Sequence, residues 1–274
     1  MAEINASDVM KLRKMSGQGM MDCKKALAET NGDLDEAMTL LRKKGLATMA
    51  KRADRSASEG KVTVKSSGKD TVLTSLCCET DFVAKNDDFK EVADKVADAA
   101  LQAAPGSKLA EQEIEGKKVS ELITELVSKT GEKTEIGDWA KMSEEENTVV
   151  GSYVHFNNKM GALVKIVCEN PSEKLQKLAD EVCMHIAAVK PMALNKESFD
   201  QEVIEKEREI AKEQMKDKPA QIIEKIVEGK INKMISENCL VNQKFVKNEE
   251  MTVEEAVKDA GGSKIAAFER VAIG

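Results

Sequence analysis

Residues 62–101 read VTVKSSGKDTVLTSLCCETDFVAKNDDFKEVADKVADAAL, and the order of patterns in this stretch decides the fold. Val62 and Val64, then Val72, Leu73 and Leu76, flank the polar run Ser66, Ser67, Gly68, Lys69 and Asp70. Apolar residues on both sides of a short glycine-containing turn predict a β-hairpin. Phe89, Val92, Ala93, Val96, Ala97, Ala100 and Leu101 then recur at helical spacing until Pro105 and Gly106. A hairpin followed by a helix with one apolar face predicts an antiparallel sheet covered by that helix.

The pattern returns downstream. Val149 to Phe156 and Met160 to Cys168 flank Asn157 and Asn158, residue types that tolerate the positive φ of a tight turn. Leu175, Leu178, Ala179, Val182, Cys183 and Ile186 predict the covering helix, ended near Pro191. The expected fold class is therefore α+β, with a core of two related subdomains at 61–145 and at 146–193 with 239–274. Phe245, Val246, Ile265, Ala267 and Val271 are expected to return short closing strands to the second sheet.

Upstream, Ser7 before Val9, Met10 and Arg13 predicts a helix N-cap, and Gly17 its stop. Helices over Met20 to Asn31 and Asp35 to Lys44 follow, closed by Gly32 and Gly45. Leu12, Met21, Ala26, Leu27, Leu34, Ala37, Met38 and Leu41 form the expected small core of an N-terminal three-helix module at 1–52. Met49 to Gly60 has no apolar face and predicts a linker, at 53–60, with a solvated basic run. Between 194 and 238 a helical hairpin is expected, with Phe199, Val203, Ile204 and Ala211 on one arm. Ile222, Ile223, Ile226, Val227, Ile231, Met234 and Ile235 mark the other arm, after Pro219 in the first turn. The pair reads either as ordinary amphipathic surface helices or as a projecting coiled pair available for self-association.

Composition narrows the function. A net charge of −7 argues against a surface built to grip phosphate backbones, so a protein partner is expected and nucleic acid is not. Aromatics at 3% with 33% charged residues favour solvated helices over a sandwich or barrel. Cys23, Cys77, Cys78, Cys168, Cys183 and Cys239 include no pair at zinc-site spacing and read as reduced thiols, so no metal site and no cofactor is expected. Met1 to Asp8 lacks a signal-peptide pattern and no stretch reaches the length of a membrane span, which predicts a soluble cytoplasmic chain.

Catalytic motifs are sparse. Gly17 and Gly19 begin a dinucleotide-like spacing, but Asp22 occupies the third glycine position. Gly116, Lys117, Lys118 lacks the upstream glycine and the following Ser or Thr of a phosphate loop. His155 and His185 are the only histidines, and nothing positions either as a general base. Adjacent Cys77 and Cys78 are a poor disulfide; on a strand they predict one packed and one partly exposed thiol, with a thiol enzyme as a rival reading. Thr80, Asp81, Phe82, Val83, Ala84 and Lys85 stand where strand gives way to helix. Thr80 or Asp81 there is a helix cap and Phe82 either core or, beside a carboxylate at a loop tip, an apolar wedge for a partner.

Leu12 to Leu27, LRKMSGQGMMDCKKAL, closely resembles the N-terminal signature of the elongation factor Ts family, and Thr80 to Lys85 resembles its second signature. The similarity continues through Gly151 to His155, Met184 to Ala188 and Val227 to Lys230, in one order along the chain. The resemblance implies a non-catalytic guanine nucleotide exchange factor for elongation factor Tu. It also implies a ubiquitin-associated-like N-terminal module and a helical hairpin used for homodimerisation. By the same resemblance Thr80, Asp81, Phe82 and Val83 reach the GTPase near its Mg²⁺, while Arg13, Met20, Met21, Lys24 and His155 make further contacts with it. Ser16 stands where the family usually has Thr, Ser75, Leu76 and Cys77 depart from the usual strand, and Lys244 stands where Pro is common. Some members continue past the final strand into a further helical module, whose contacts are not expected here.

Overall fold

The computed structural model describes residues 4–214 and 220–274, apart from the side chains of 220–222. Pro219 and the side chain of Ile222, both read into the hairpin, lie outside the described residues. The fold is mixed helix and antiparallel sheet, α+β. Three helices open the chain: α1 (Ala6–Ser16), α2 (Met20–Glu29) and α3 (Leu34–Lys51). The cap of α1 is Asn5 rather than Ser7, its Oδ1 accepting the Ser7 N–H at 3.2 Å. Gly17 at φ 66° ends α1 as expected.

Gly45 does not end α3. It sits inside the helix because an ideal Cβ there would lie 3.0 Å from both the Thr124 carbonyl oxygen and Ser128 Cβ, so its missing side chain lets two helices approach. Leu12, Ala26, Leu27, Ala37 and Leu41 are buried with Val9 and Cys23, but Met21 is 63% exposed and is not core. The linker is correspondingly short, and Met49, expected to be solvated, packs on the next cluster.

The next part comprises β1 (Glu59–Ser67), β2 (Asp70–Cys78), α4 (Asp81–Ala84), α5 (Asp87–Gln102), the small strands β3 (Glu113–Ile114) and β4 (Lys117–Lys118), α6 (Val119–Thr130) and β5 (Thr134–Ser143). The sheet order is β1-β2-β5, all antiparallel. Ser67 pairs with Asp70, leaving a two-residue turn in which Gly68 supplies φ 60°. Side chains alternate along β2: Val72, Leu76 and Cys78 face Phe89, Ala93, Val96 and Ala97 of α5.

The remainder comprises β6 (Thr148–Val154), β7 (Met160–Cys168), α7 (Glu173–Val189), α8 (Gln201–Glu213), α9 (Ala220–Asn238), β8 (Lys244–Phe245), β9 (Asn248–Thr252), α10 (Val253–Asp259) and β10 (Gly262–Ala272). The second sheet runs β10-β7-β6 with α7 on its outer face. Ile265, Ala267 and Val271 belong to β10 and return to this sheet. Phe245 does not: it is buried in the same cluster from its own two-stranded hairpin, β8 with β9, and Val246 is exposed beside it. The opposite faces of the two sheets meet through Val62, Leu73, Met142, Val150, Leu163 and Val271. The layers are therefore helix, sheet, sheet, helix.

Between α7 and β8 the chain leaves and re-enters at one point. Met192 N–H donates to the Asn238 carbonyl at 2.9 Å, and Leu240 N–H to the Ala193 carbonyl at 2.9 Å. The hairpin of α8 and α9 hangs from this neck. Its stripe is satisfied largely from within, since Val227, Ile231 and Ile235 are buried against Phe199, Ile204 and Ala211. Among the described residues no helix is long and apolar enough to cross a membrane.

Candidate partner-binding site

Thr80 stands two residues past Cys78, the last paired residue of β2, and caps the single turn of α4, its Oγ1 accepting the Val83 N–H at 3.4 Å. Asn86 then caps α5. Two caps this close leave only Asp81 to Lys85 between them, and that turn directs its residues apart. Val83 packs on the α5 cluster, whereas Phe82 is 82% exposed. The core reading of Phe82 is thereby overturned; Phe89, fully buried, takes that role. Asp81 Oδ2 lies 2.6 Å from Lys85 Nζ, and this lysine holds the Asp81 carboxyl below the usual carboxylate range. Asp81 is a fixed negative charge beside an exposed ring.

Burial disfavours the thiolate form of both cysteines just before it. Cys78 is buried and Cys77 half-buried on opposite faces of β2, as expected for adjacent strand residues. Desolvation pushes the Cys78 thiol up to about 12 and raises Cys77 as well. Neither supplies a thiolate near neutral pH, which a thiol enzyme would need.

Across an open groove of about 600 Å³ from Asp81 and Lys85 lies the turn between β6 and β7. Val62 N–H donates to the Asn158 carbonyl at 2.7 Å, and Lys159 Nζ pairs with Glu59 Oε1 at 2.6 Å, so this turn is tied to β1. Tyr153 Oη and His155 Nδ1 are 2.9 Å apart, and the ring centroids of His155 and Phe156 are 4.4 Å apart. Phe156, read from sequence as a strand end, is 86% exposed and lines the groove. Phe82 and Phe156 are the exposed aromatic side chains among the described residues. Position in sequence gave no sign of this; the adjoining Asn157 and Asn158 were the available hint, because a residue next to a tight turn has little to pack against.

Of the expected site residues only Asp81 lines this groove; Thr80, Phe82, Val83 and His155 flank it in sequence without lining it. Arg13 and Lys24 are exposed on α1 and α2, with Met20 at 51% and Met21 at 63% exposure, and none of these four lines it. Met10 and Met15 of α1 are exposed as well. His185 is fully buried, its ring nitrogens 3.0 Å from Gln243 Oε1 and 3.3 Å from the Val246 N–H, and desolvation lowers its pKa. It is a satisfied packing residue. Among the described residues no group of three or more His, Cys, Asp or Glu side chains is placed to hold a metal ion.

The family model described as Elongation factor TS matches residues 79–274, starting one residue before Thr80. The chain belongs to the elongation factor Ts family. It is 43% identical to Elongation factor Ts of Christiangramia forsetii over 279 aligned residues that cover all of both chains. It is 40% identical to Elongation factor Ts of Desulfovibrio desulfuricans over 285 aligned residues, 99% of this chain and 98% of that relative. Members of the elongation factor Ts family are factors of translation elongation, and the exposed turn belongs to such a factor.

Proposed function

We propose that this chain is the guanine nucleotide exchange factor of elongation factor Tu, binding its GDP form and releasing GDP so that GTP reloads. The observation that carries the reading is Phe82, 82% exposed on a capped turn beside the charged Asp81. An aromatic of this size left in water, on a chain of this family, fits a binding anchor better than a packing residue. No covalent chemistry is needed, so the chain is not an enzyme and holds no cofactor of its own.

The mechanism follows from linkage. Mg²⁺ in a GTPase demands near-octahedral oxygen geometry, so small displacements of its ligands weaken both metal and phosphate binding. A factor that binds the GTPase better when that geometry is broken must weaken nucleotide binding by the same factor, because coupling is reciprocal. Phe82 supplies apolar area that holds the displaced state, Asp81 a charge, and Thr80 and Val83 the rigid base of the turn. His155, with Phe156 against its ring, extends the contact across the groove. Arg13, Met20, Met21 and Lys24 form a second grip from the helical module.

The wider organisation belongs to the same proposal. It comprises an N-terminal ubiquitin-associated-like module at 1–52, a linker at 53–60 whose last two residues enter β1, core subdomains at 61–145 and 146–193 with 239–274, and a dimerisation hairpin at 194–238. Exposed Ile210 and partly covered Ile223, Ile226 and Met234 are the apolar area that a second copy would meet. The protein is proposed to work in the cytoplasm without holding RNA or membrane. The test is catalysed release of fluorescent GDP from elongation factor Tu: Phe82→Ala slows it while the melting transition stays in place. Normal release from Phe82→Ala, or a large loss of stability, overturns the reading.

A further inference from the structure

The antiparallel pairing of β2 with β5 ends at Cys78 and Thr134. Just past that last rung, the bonds between the two segments run from backbone to carboxylate. Glu132 Oε2 accepts the Thr80 N–H at 3.0 Å, and Glu132 Oε1 accepts the Thr80 hydroxyl at 2.8 Å. In return Glu79 Oε1 accepts the Lys133 N–H at 2.6 Å. Arg52 Nη1, from the end of α3, lies 2.7 and 2.9 Å from the two Glu79 oxygens. Two carboxylates thus continue the sheet by side chains where its own ladder stops: Glu132 bonds Thr80, the residue that opens α4, and Glu79, the residue before Thr80, bonds back to Lys133, the neighbour of Glu132.

The hydroxyl of Thr80 has one proton. The hydroxyl donates it in the hydrogen bond to Glu132, which leaves the oxygen lone pairs facing the Val83 N–H and makes Thr80 a cap acceptor. A helix of one turn has too few internal bonds to hold its own direction. The direction of α4, and with it that of Phe82, is therefore imposed from outside.

We propose that Glu132 is a positioning residue, supported by Glu79 and Arg52, that holds the Asp81–Phe82 turn in its binding-competent direction before any partner arrives. An anchor already oriented loses less freedom on binding, so the fraction of molecules in the competent state sets the apparent affinity. This functional half rests on the exchange reading; the latch itself does not.

The experiment reads the two halves separately on the full chain. Hydrogen exchange of the Thr80 amide, measured by NMR relative to the Leu76 amide without any partner, reports the latch. Release of fluorescent GDP from elongation factor Tu, measured against the concentration of this chain, reports function. Glu132→Ala is expected to speed Thr80 exchange about tenfold and to raise the half-saturating concentration by a similar factor at an unchanged maximal rate. Glu132→Gln, which keeps an acceptor for the amide, is expected to restore most of both. Unaltered Thr80 protection in Glu132→Ala overturns the latch whatever the chain does to the GTPase. Lost protection with an unmoved half-saturating concentration overturns the functional half, and so does a wild-type chain that fails to accelerate release, with the latch still decided by hydrogen exchange. If Glu132→Ala does not fold, Arg52→Ala is read at the Lys133 amide, where faster exchange supports the latch and unchanged exchange overturns it.

Discussion

The two sheets are built on one plan, a hairpin and then a helix across its outer face, but they make the step from strand to helix differently. After β7 the chain passes through Glu169 to Pro171 and Ser172 caps α7 directly, its Oγ accepting the Leu175 N–H at 3.2 Å. After β2 an extra capped turn, α4, stands between strand and helix and carries Phe82 into solvent. In the second half the exposed ring lies at the other end of the hairpin, at Phe156. The candidate site gathers where the internal likeness breaks, since residues needed only for packing keep to the common plan.

The sharpest way to break this comparison uses two phenylalanines of the first half. Phe89→Ala, which empties a fully buried position, is expected to cost ~3–5 kcal/mol of stability in denaturant titration. Phe82→Ala should leave stability within ~0.5 kcal/mol and slow GDP release on the order of 30-fold, the ~2 kcal/mol of a binding hot spot. If the two variants lose comparable stability, the distinction between packing and exposed ring fails.

On the second half, Gly151→Ala probes why α7 needs no intervening turn. A Cβ at Gly151 would fall 2.4 Å from the Ala179 carbonyl carbon, so α7 rides on β6 with nothing between them. Such overpacking should cost ~1–3 kcal/mol, seen as a lower melting temperature with normal exchange per folded molecule. Phe156→Ala is expected to weaken coupling to elongation factor Tu by about 1 kcal/mol, read as roughly fivefold less efficient release at limiting concentration, without moving the melting transition. An effect equal to that of Phe82→Ala would make the two rings equivalent prongs; no effect would confine the site to the first half.

The smallest expected effect is a pH dependence at the base of α4. The Lys133 amide, then Arg52, hold the Glu79 carboxyl below the usual carboxylate range. Its contribution to stability is thus complete above the unfolded pKa of about 4.3 and fades as pH falls through the lower folded value. The stability gap between wild type and Glu79→Gln should therefore be widest near pH 7 and shrink below about pH 4. A gap that widens on acidification would mean that the carboxylate is destabilising where it stands.

Hairpins and covering helices were legible because apolar period and turn chemistry agreed at 62–101 and 149–186. The α6 helix carries the same kind of signal, Val119, Leu122, Ile123, Leu126 and Val127 at helical spacing, but charged neighbours on both sides mask its ends. The β5 strand offered little: Gly137 and alternating charges blur its period, and the register shifts between Thr74 and Leu76 opposite it. Gly45 looks like a helix stop in sequence, and only the nearness of Thr124 and Ser128 shows why glycine stands there. At the candidate site, Thr80, Asp81 and Phe82 were findable as a cap and a possible wedge. The side on which Phe82 would fall was not, because that depends on Glu132, fifty-two residues from Thr80 along the chain.

The neck beneath the helical hairpin has a consequence for how this chain tolerates change. Residues 192–193 and 238–240 are clasped to one another, so the core meets the same two adjoining chain ends whatever hangs beyond them. The loop between them can lengthen at an entropic cost that grows only with the logarithm of its length. That makes 195–237 a graft site, a place where a longer arm, a shorter one or a foreign module can be spliced in while the sheets keep their registers and the exposed turn keeps its aim.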